Sequence, residues 1–180
     1  MNNQLLDKYR TKQPFRVSKG KKYIINGEEK NSKWFPYEIG NKELWNLREI
    51  LNDEIVIEFD MPKDWDKGLK EFQEQISIPA IDKTSTNLAW NGITCEVWDH
   101  KGKSPHLHIH DLPIAHLEKD KLKMFKELFI KKYTPEKYLP YVDFSLCGIH
   151  LLAIEGVEHW KGKYSIKKLL HRFKCNVVEQ

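Results

Sequence analysis

Cysteine is scarce in this chain: Cys95, Cys147 and Cys175 stand far apart. Neither a disulfide framework nor a CxxC zinc knuckle is written locally, so the thiols are expected to pack rather than react. Long apolar runs are missing as well. No stretch approaches the roughly 20 residues of a membrane span, and the N-terminus carries no apolar signal segment. These absences point to an intracellular, cytoplasmic protein with no membrane partner. The chain also has no internal repeat and no low-complexity tract.

What is present can fold. The chain has 180 residues, 40% of them hydrophobic, which suffices for one good core. Six tryptophans and eight phenylalanines lie among plentiful Lys and Glu, the composition of a folded domain with a charged surface. The net charge of +4 is mild. The first 33 residues, however, concentrate Lys8, Arg10, Lys12, Arg16, Lys19, Lys21, Lys22, Lys30 and Lys33 among Tyr9, Phe15 and Tyr23. Basic residues interleaved with aromatics suit a nucleic-acid backbone, with Arg10, Arg16, Lys19, Lys21 and Lys22 touching it; a solvated arm is the alternative. Residues 1–40 are read as a basic segment packed on a domain of residues 41–180, the whole forming a single unit.

Histidine is the residue most unevenly spread: five of eight (His100, His106, His108, His110 and His116) fall within seventeen positions. In Ser104-Pro105-His106-Leu107-His108-Ile109-His110 the alternation has the period of a strand, so the three imidazoles share one face and Leu107 and Ile109 the other. Such a row packs poorly and is suited to holding phosphate or a divalent metal; a solvated polar face is the plain alternative.

Periodicity places the other elements. Tyr23–Ile25 reads as a strand followed by the hairpin signal Asn26-Gly27. Asn41 before Leu44, Leu47 and Leu51 predicts a capped helix. Glu54–Asp60 predicts a β-branched strand ending in carboxylates. Asp66–Ile76 predicts a helix, whereas 79–91 has no clear period. Gly92–Asp99 predicts a strand hairpinned to the histidine strand, and Leu117–Lys132 a helix. Tyr141–Leu146 and His150–Ile154 read as short strands, and Ser165 as the cap of a last helix bearing Ile166, Leu169, Leu170 and Phe173.

Glu58 and Asp60 are two apart on a strand, so their carboxylates project from one face. Their repulsion is costly unless a cation lies between them, and oxygen ligands select Mg²⁺ or Mn²⁺. Asp143, after another short apolar run, is placed to complete a three-carboxylate site for in-line attack on a phosphoryl group. Taken singly, these acids are ordinary strand ends and turn residues.

The order Glu58-Phe59-Asp60, Ser104-Pro105-His106, Asp143 resembles the catalytic module of the archaeo-eukaryotic primase and primase-polymerase superfamily, over about residues 55–170. The resemblance implies an α+β fold, an RRM-like or primase-like mixed sheet flanked by helices. It also implies a nucleotidyltransferase that makes or extends primers on a nucleic-acid template from nucleoside triphosphates, beside a helicase or other replication partner. Glu58, Asp60 and Asp143 would hold Mg²⁺ or Mn²⁺. His106, with Ser104 and His108, would grip the triphosphate, and His159 or Lys161 would touch phosphate or sugar. The chain departs from that pattern in having Glu at the first acidic position and no arginine between Asp143 and Arg172.

The same hairpin also resembles rolling-circle replication initiators and relaxases, in which a His-hydrophobic-His pair and a neighbouring acid bind one metal for nicking. Glu96, His106 and His108 would be its ligands and Tyr164, ahead of Lys167, its nucleophile, with Tyr133 a weaker candidate. This reading leaves Glu58, Asp60 and Asp143 without work. A third, a non-catalytic nucleic-acid-binding relative, keeps the fold and the basic arm alone. His110 serves neither mechanism and is read as a rim residue.

Overall fold

A computed structural model of the protein describes residues 3–20, 23–25, 28–30, 33–99, 104–157 and 166–173. The described chain is α+β, with two four-stranded antiparallel sheets and four α-helices. The first sheet contains β1 (Arg16–Ser18), β4 (Phe35–Pro36), β5 (Leu47–Glu49) and β9 (Leu151–Ala153), in the order β4-β1-β5-β9. The second contains β6 (Ile55–Ile57), β7 (Cys95–Asp99), β8 (His106–Ile109) and β10 (Lys168–Phe173), in the order β10-β7-β8-β6. Apart from both, β2 (Tyr23–Ile25) pairs antiparallel with β3 (Glu28–Lys30), as the Asn26-Gly27 signal predicts. Because β1 pairs with β5 and β5 with β9, the N-terminal 40 residues share a sheet with the later chain.

The helices are α1 (Gln4–Lys12), α2 (Leu69–Phe72), α3 (Ile78–Trp90) and α4 (Lys119–Tyr133). Between α2 and α3 lies a π-helical turn, Gln73–Ser77. Pro79 follows it closely and has no N–H to give to the preceding turn, so a regular ladder cannot run through this point. The stretch 79–91 without clear period is therefore mostly α3.

The second sheet divides its side chains by the period of two. Ile55, Ile57, Phe59, Val97, Leu107 and Ile109 join Phe72, Ala80, Ile81, Leu88 and Ile130 in the main core. His106, His108 and their cross-strand partners Trp98, Glu96 and Val56 face the opposite way. On that side Val56 packs with Ile50, Leu146 and Leu152 of the first sheet's surroundings. The histidine face is thus an interface between the two sheets, and His108 is completely buried.

Three expected elements come out differently. Residues 41–51 form no helix; they feed β5, whose edges pair with β1 and β9. Leu44 is exposed while Leu51 is buried, so the leucine spacing marks no common face. Where a helix is expected after Ser165, which lies outside the described residues, Lys168–Phe173 form the edge strand β10, paired along β7 through a bulge at Leu169/His171, with Leu169 and Leu170 exposed. Tyr141–Leu146 is covered by two 3₁₀ turns, Glu136–Tyr141 and Phe144–Cys147, with a single antiparallel bridge between them, Phe59 to Val142.

Candidate active site and the charge cluster behind it

The Phe59–Val142 bridge is short but decisive. Its flanking bonds run from Asp60 N–H to the Tyr141 carbonyl (2.8 Å) and from Asp143 N–H to the Glu58 carbonyl (3.0 Å). This register sets Asp143 opposite Glu58, and residues opposite one another in an antiparallel pair project to the same face. Asp60, two residues on from Glu58, shares that face and is exposed. His106 Nε2 lies 3.3 Å from Glu58 Oε2, both side chains being largely buried. The Ser104 hydroxyl donates to the Phe59 carbonyl at 2.5 Å, pinning the start of the histidine strand to the end of the carboxylate strand. Asp143 also accepts from Ser145 N–H at 2.9 Å and so caps the second 3₁₀ turn.

Behind this edge lies a set of buried charges that sequence reasoning missed. Arg48, fully buried on the central strand β5, clamps two carboxylates. Its Nη1 and Nη2 donate to Glu54 Oε2 (2.7 Å) and Oε1 (2.8 Å), and its Nε and Nη2 to Glu155 Oε2 (3.0 Å) and Oε1 (2.7 Å). Lys167, equally buried, lies 3.0 Å from His108 Nε2 and 3.7 Å from Glu155 Oε1. Two cations therefore face two carboxylates, with His108 between them.

Burial, followed by the nearby Lys167 ammonium, lowers the His108 pKa to about 3, so its ring is neutral. Burial also lowers Lys167 to about 8 against the pull of Glu155, which leaves it protonated near neutrality. An ammonium beside Nε2 needs a lone pair there, so the ring proton belongs on Nδ1. Nδ1 in turn lies 3.1 Å from Glu54 Oε1 and 3.2 Å from Glu155 Oε1. Arg48 holds both carboxyls below the usual range despite the opposing effect of burial.

These shifts predict a pH response. His108 is depressed from 6.5 to about 3, so its contribution to stability is present above pH 6.5 and is lost as pH falls toward 3. Glu54 and Glu155, depressed from 4.5, add to the loss below that pH. Equilibrium unfolding of the wild type should lose stability below pH 6.5 with a slope that steepens toward about 1.4 kcal/mol per pH unit roughly one unit lower, whereas His108→Asn should stay flat until the carboxylate range. A flat wild-type profile down to pH 4.5 would show that His108 is not held neutral.

Among the described residues, the donors of Glu54, His108 and His110 come within 4.8 Å of one another and could hold a metal ion. Two imidazoles and one carboxylate suit a borderline ion such as Zn²⁺ better than Mg²⁺. Both Glu54 oxygens already accept from Arg48, however, and Oε2 also accepts from Leu51 N–H. An arriving ion would have to displace these bonds in a cluster whose charges are already balanced. His110 is half-buried and stacks on Tyr9, with ring centroids 5.9 Å apart.

The expected residues separate accordingly. Glu58 meets His106, Ser104 is tied to Phe59, and the backbone register sets Asp143 opposite Glu58, but among the described residues Glu58, Asp60 and Asp143 are not a set whose donors already lie close enough to share an ion. The ring nitrogens of His108 face Lys167, Glu54 and Glu155, which removes it from the triphosphate grip and makes it part of the inter-sheet cluster. Glu96 accepts from Arg172 and from Trp98 Nε1, and the set Glu96, His106 and His108 is not among the donor groups close enough to share an ion. Arg10 donates to the Tyr37 carbonyl, Arg16 forms a two-bond pair with Glu49, and Lys19 bonds Glu43. Arg10 and Arg16 are thus engaged within the protein, whereas the solvent-exposed Lys19–Glu43 pair holds Lys19 only loosely. His159, Lys161, Tyr164, Lys21 and Lys22 lie outside the described residues.

One signal for the missed cluster was present. Glu54 stands two strand periods before Glu58 and must share its face. Arg48, Glu155 and Lys167 had none, since they meet across long sequence separations. No family model, curated protein or solved structure matches this chain.

Proposed function

We propose that the protein is a metal-dependent nucleotidyltransferase of the primase-polymerase type, adding nucleotides to a primer on a nucleic-acid template. The observation that carries this reading is the Phe59–Val142 bridge, which sets Asp143 opposite Glu58, the residue whose carboxylate meets His106. Carboxylate oxygens are the donors that Mg²⁺ or Mn²⁺ select, and the three acids on this edge would hold such an ion once their side chains turn toward it. Such ions, when bound, neutralise charge on the triphosphate and activate the attacking hydroxyl.

The chain's own residues do the remaining work. Glu58, Asp60 and Asp143 fix the ion positions. His106, held beside Glu58, supplies an imidazole for hydrogen bonding to phosphate, and Ser104 fixes where that imidazole stands. Asp60 meets the substrate from the exposed end of the edge. The engagement of Glu96 with Arg172 and Trp98 favours this reading over the nicking chemistry.

The test is direct. The protein is incubated with Mn²⁺ or Mg²⁺, labelled nucleoside triphosphates and a primed template, and in parallel with supercoiled plasmid. Metal-dependent, template-directed incorporation that EDTA abolishes is the expected result. A covalent protein–DNA adduct would overturn it in favour of the nickase, and binding with neither product would leave a non-catalytic relative.

A further inference from the structure

A groove of about 650 Å³ opens on the histidine face between α1 and strands β7 and β10. Its walls include Lys8, Tyr9 and Lys12 from α1, Trp98 from β7, His110, and Arg172 from β10. Lys8 and Lys12 are four apart, so both project from the same side of α1, and Tyr9 adds an aromatic edge between them. Trp98 is the cross-strand partner of His106. The groove therefore shares the sheet face of His106, and Trp98 is the lining residue paired with it across the strands.

Exposed cations around aromatic rings are what a single-stranded nucleic acid requires: charges track the phosphates and a ring stacks on a base. Lys12 is paired with Asp111 and Arg172 with Glu96. The Lys12–Asp111 pair is solvent-exposed, worth only about 0–1 kcal/mol, and exchanges readily for phosphate. Arg172 is half-exposed and holds Glu96 through Nε and Nη2, which leaves Nη1 to reach a phosphate. Asp111 is 70% exposed and free to turn away, while Glu96 keeps its bond from Trp98 Nε1. The basic, aromatic-laced N-terminus thus presents Lys8, Tyr9 and Lys12 to this groove, while Arg10, Arg16 and Lys19 face other partners.

We infer that this groove seats a single strand of nucleic acid, with phosphates on Lys8, Lys12 and Arg172 and a base against Trp98. The inference rests on the proposed nucleotidyltransferase reading only in naming that strand as the one led toward His106.

The test uses the full chain, a fluorescently labelled oligo(dT), and anisotropy titrations at several salt concentrations with no metal or nucleotide added. Lys8→Ala/Lys12→Ala/Arg172→Ala is expected to weaken binding at least about tenfold and to flatten the salt slope by about 2, at roughly 0.7 for each phosphate no longer neutralised. Trp98→Leu is expected to weaken binding with the slope unchanged. Lys8→Glu alone, on the solvent side of α1 where no core packing is disturbed, should also weaken it. Unchanged affinity and slope in Lys8→Glu and in the triple variant would overturn the inference, even in a protein that incorporates nucleotides. Groove-dependent binding by a protein that incorporates none would uphold it and defeat the polymerase reading instead.

Discussion

Asp60→Ala is expected to abolish nucleotide incorporation while leaving the fold essentially unchanged. Asp60 is exposed at a strand end, so its removal creates no cavity in the core. What goes with it is an oxygen ligand in a site where metal charge supplies several kcal/mol of transition-state stabilisation. At about 1.4 kcal/mol per tenfold, the rate should fall by roughly 100-fold to 1,000-fold or more. Asp143→Ala should have the same effect on rate with an added stability cost of about 1 kcal/mol, because Asp143 caps the turn through Ser145 N–H. Asp143→Asn keeps that cap acceptor and loses the charge, so it should be inactive yet as stable as wild type. Primer-extension rates and denaturation midpoints on the same preparations check both halves. Wild-type incorporation by Asp60→Ala would remove the carboxylate edge from the chemistry.

Arg48→Met is expected to cost about 3–5 kcal/mol, the penalty for breaking a buried ion pair and stranding its partner. Here two partners are stranded. Glu54 and Glu155 are both essentially inaccessible to water, and Arg48 supplies two hydrogen bonds to each. Against a typical domain stability of about 5–15 kcal/mol, such a loss leaves a marginal fold. Urea unfolding at neutral pH measures it. The triple variant Arg48→Met/Glu54→Gln/Glu155→Gln removes the stranded charges and should recover part of the loss, a non-additivity that identifies repulsion between desolvated carboxylates as the cause. A stability for Arg48→Met within about 1 kcal/mol of wild type would show that the cluster is not held by Arg48.

The two histidines that looked alike in the sequence have opposite settings. His106 lies against Glu58 and across the strand pair from Trp98, and is itself buried. His108 lies deeper, bridging Lys167 and two carboxylates at the junction of the sheets. Alternation assigned both to one face correctly. It carried no information on what covers that face, because β5, β9 and Lys167 arrive from distant parts of the chain.

Local patterns determined the strand of Ile55–Ile57, the hairpin of β7 with β8, the helix α4 and the α+β class. Each rests on hydrophobic period and turn residues read within a dozen positions, where neighbouring side chains alone decide which conformation buries the apolar face. Tertiary structure decided the rest. Strand pairing made 47–49 and 168–173 extended despite helical leucine spacing, since ladder bonds to β1, β9 and β7 outweigh weak propensity. A single bridge set Asp143 opposite Glu58. The burial of Arg48 between Glu54 and Glu155 divided a row of like histidines into one beside the carboxylate edge and one inside a charge cluster. Bonds that span 107 residues depend on how two sheets stack, and no local period records that.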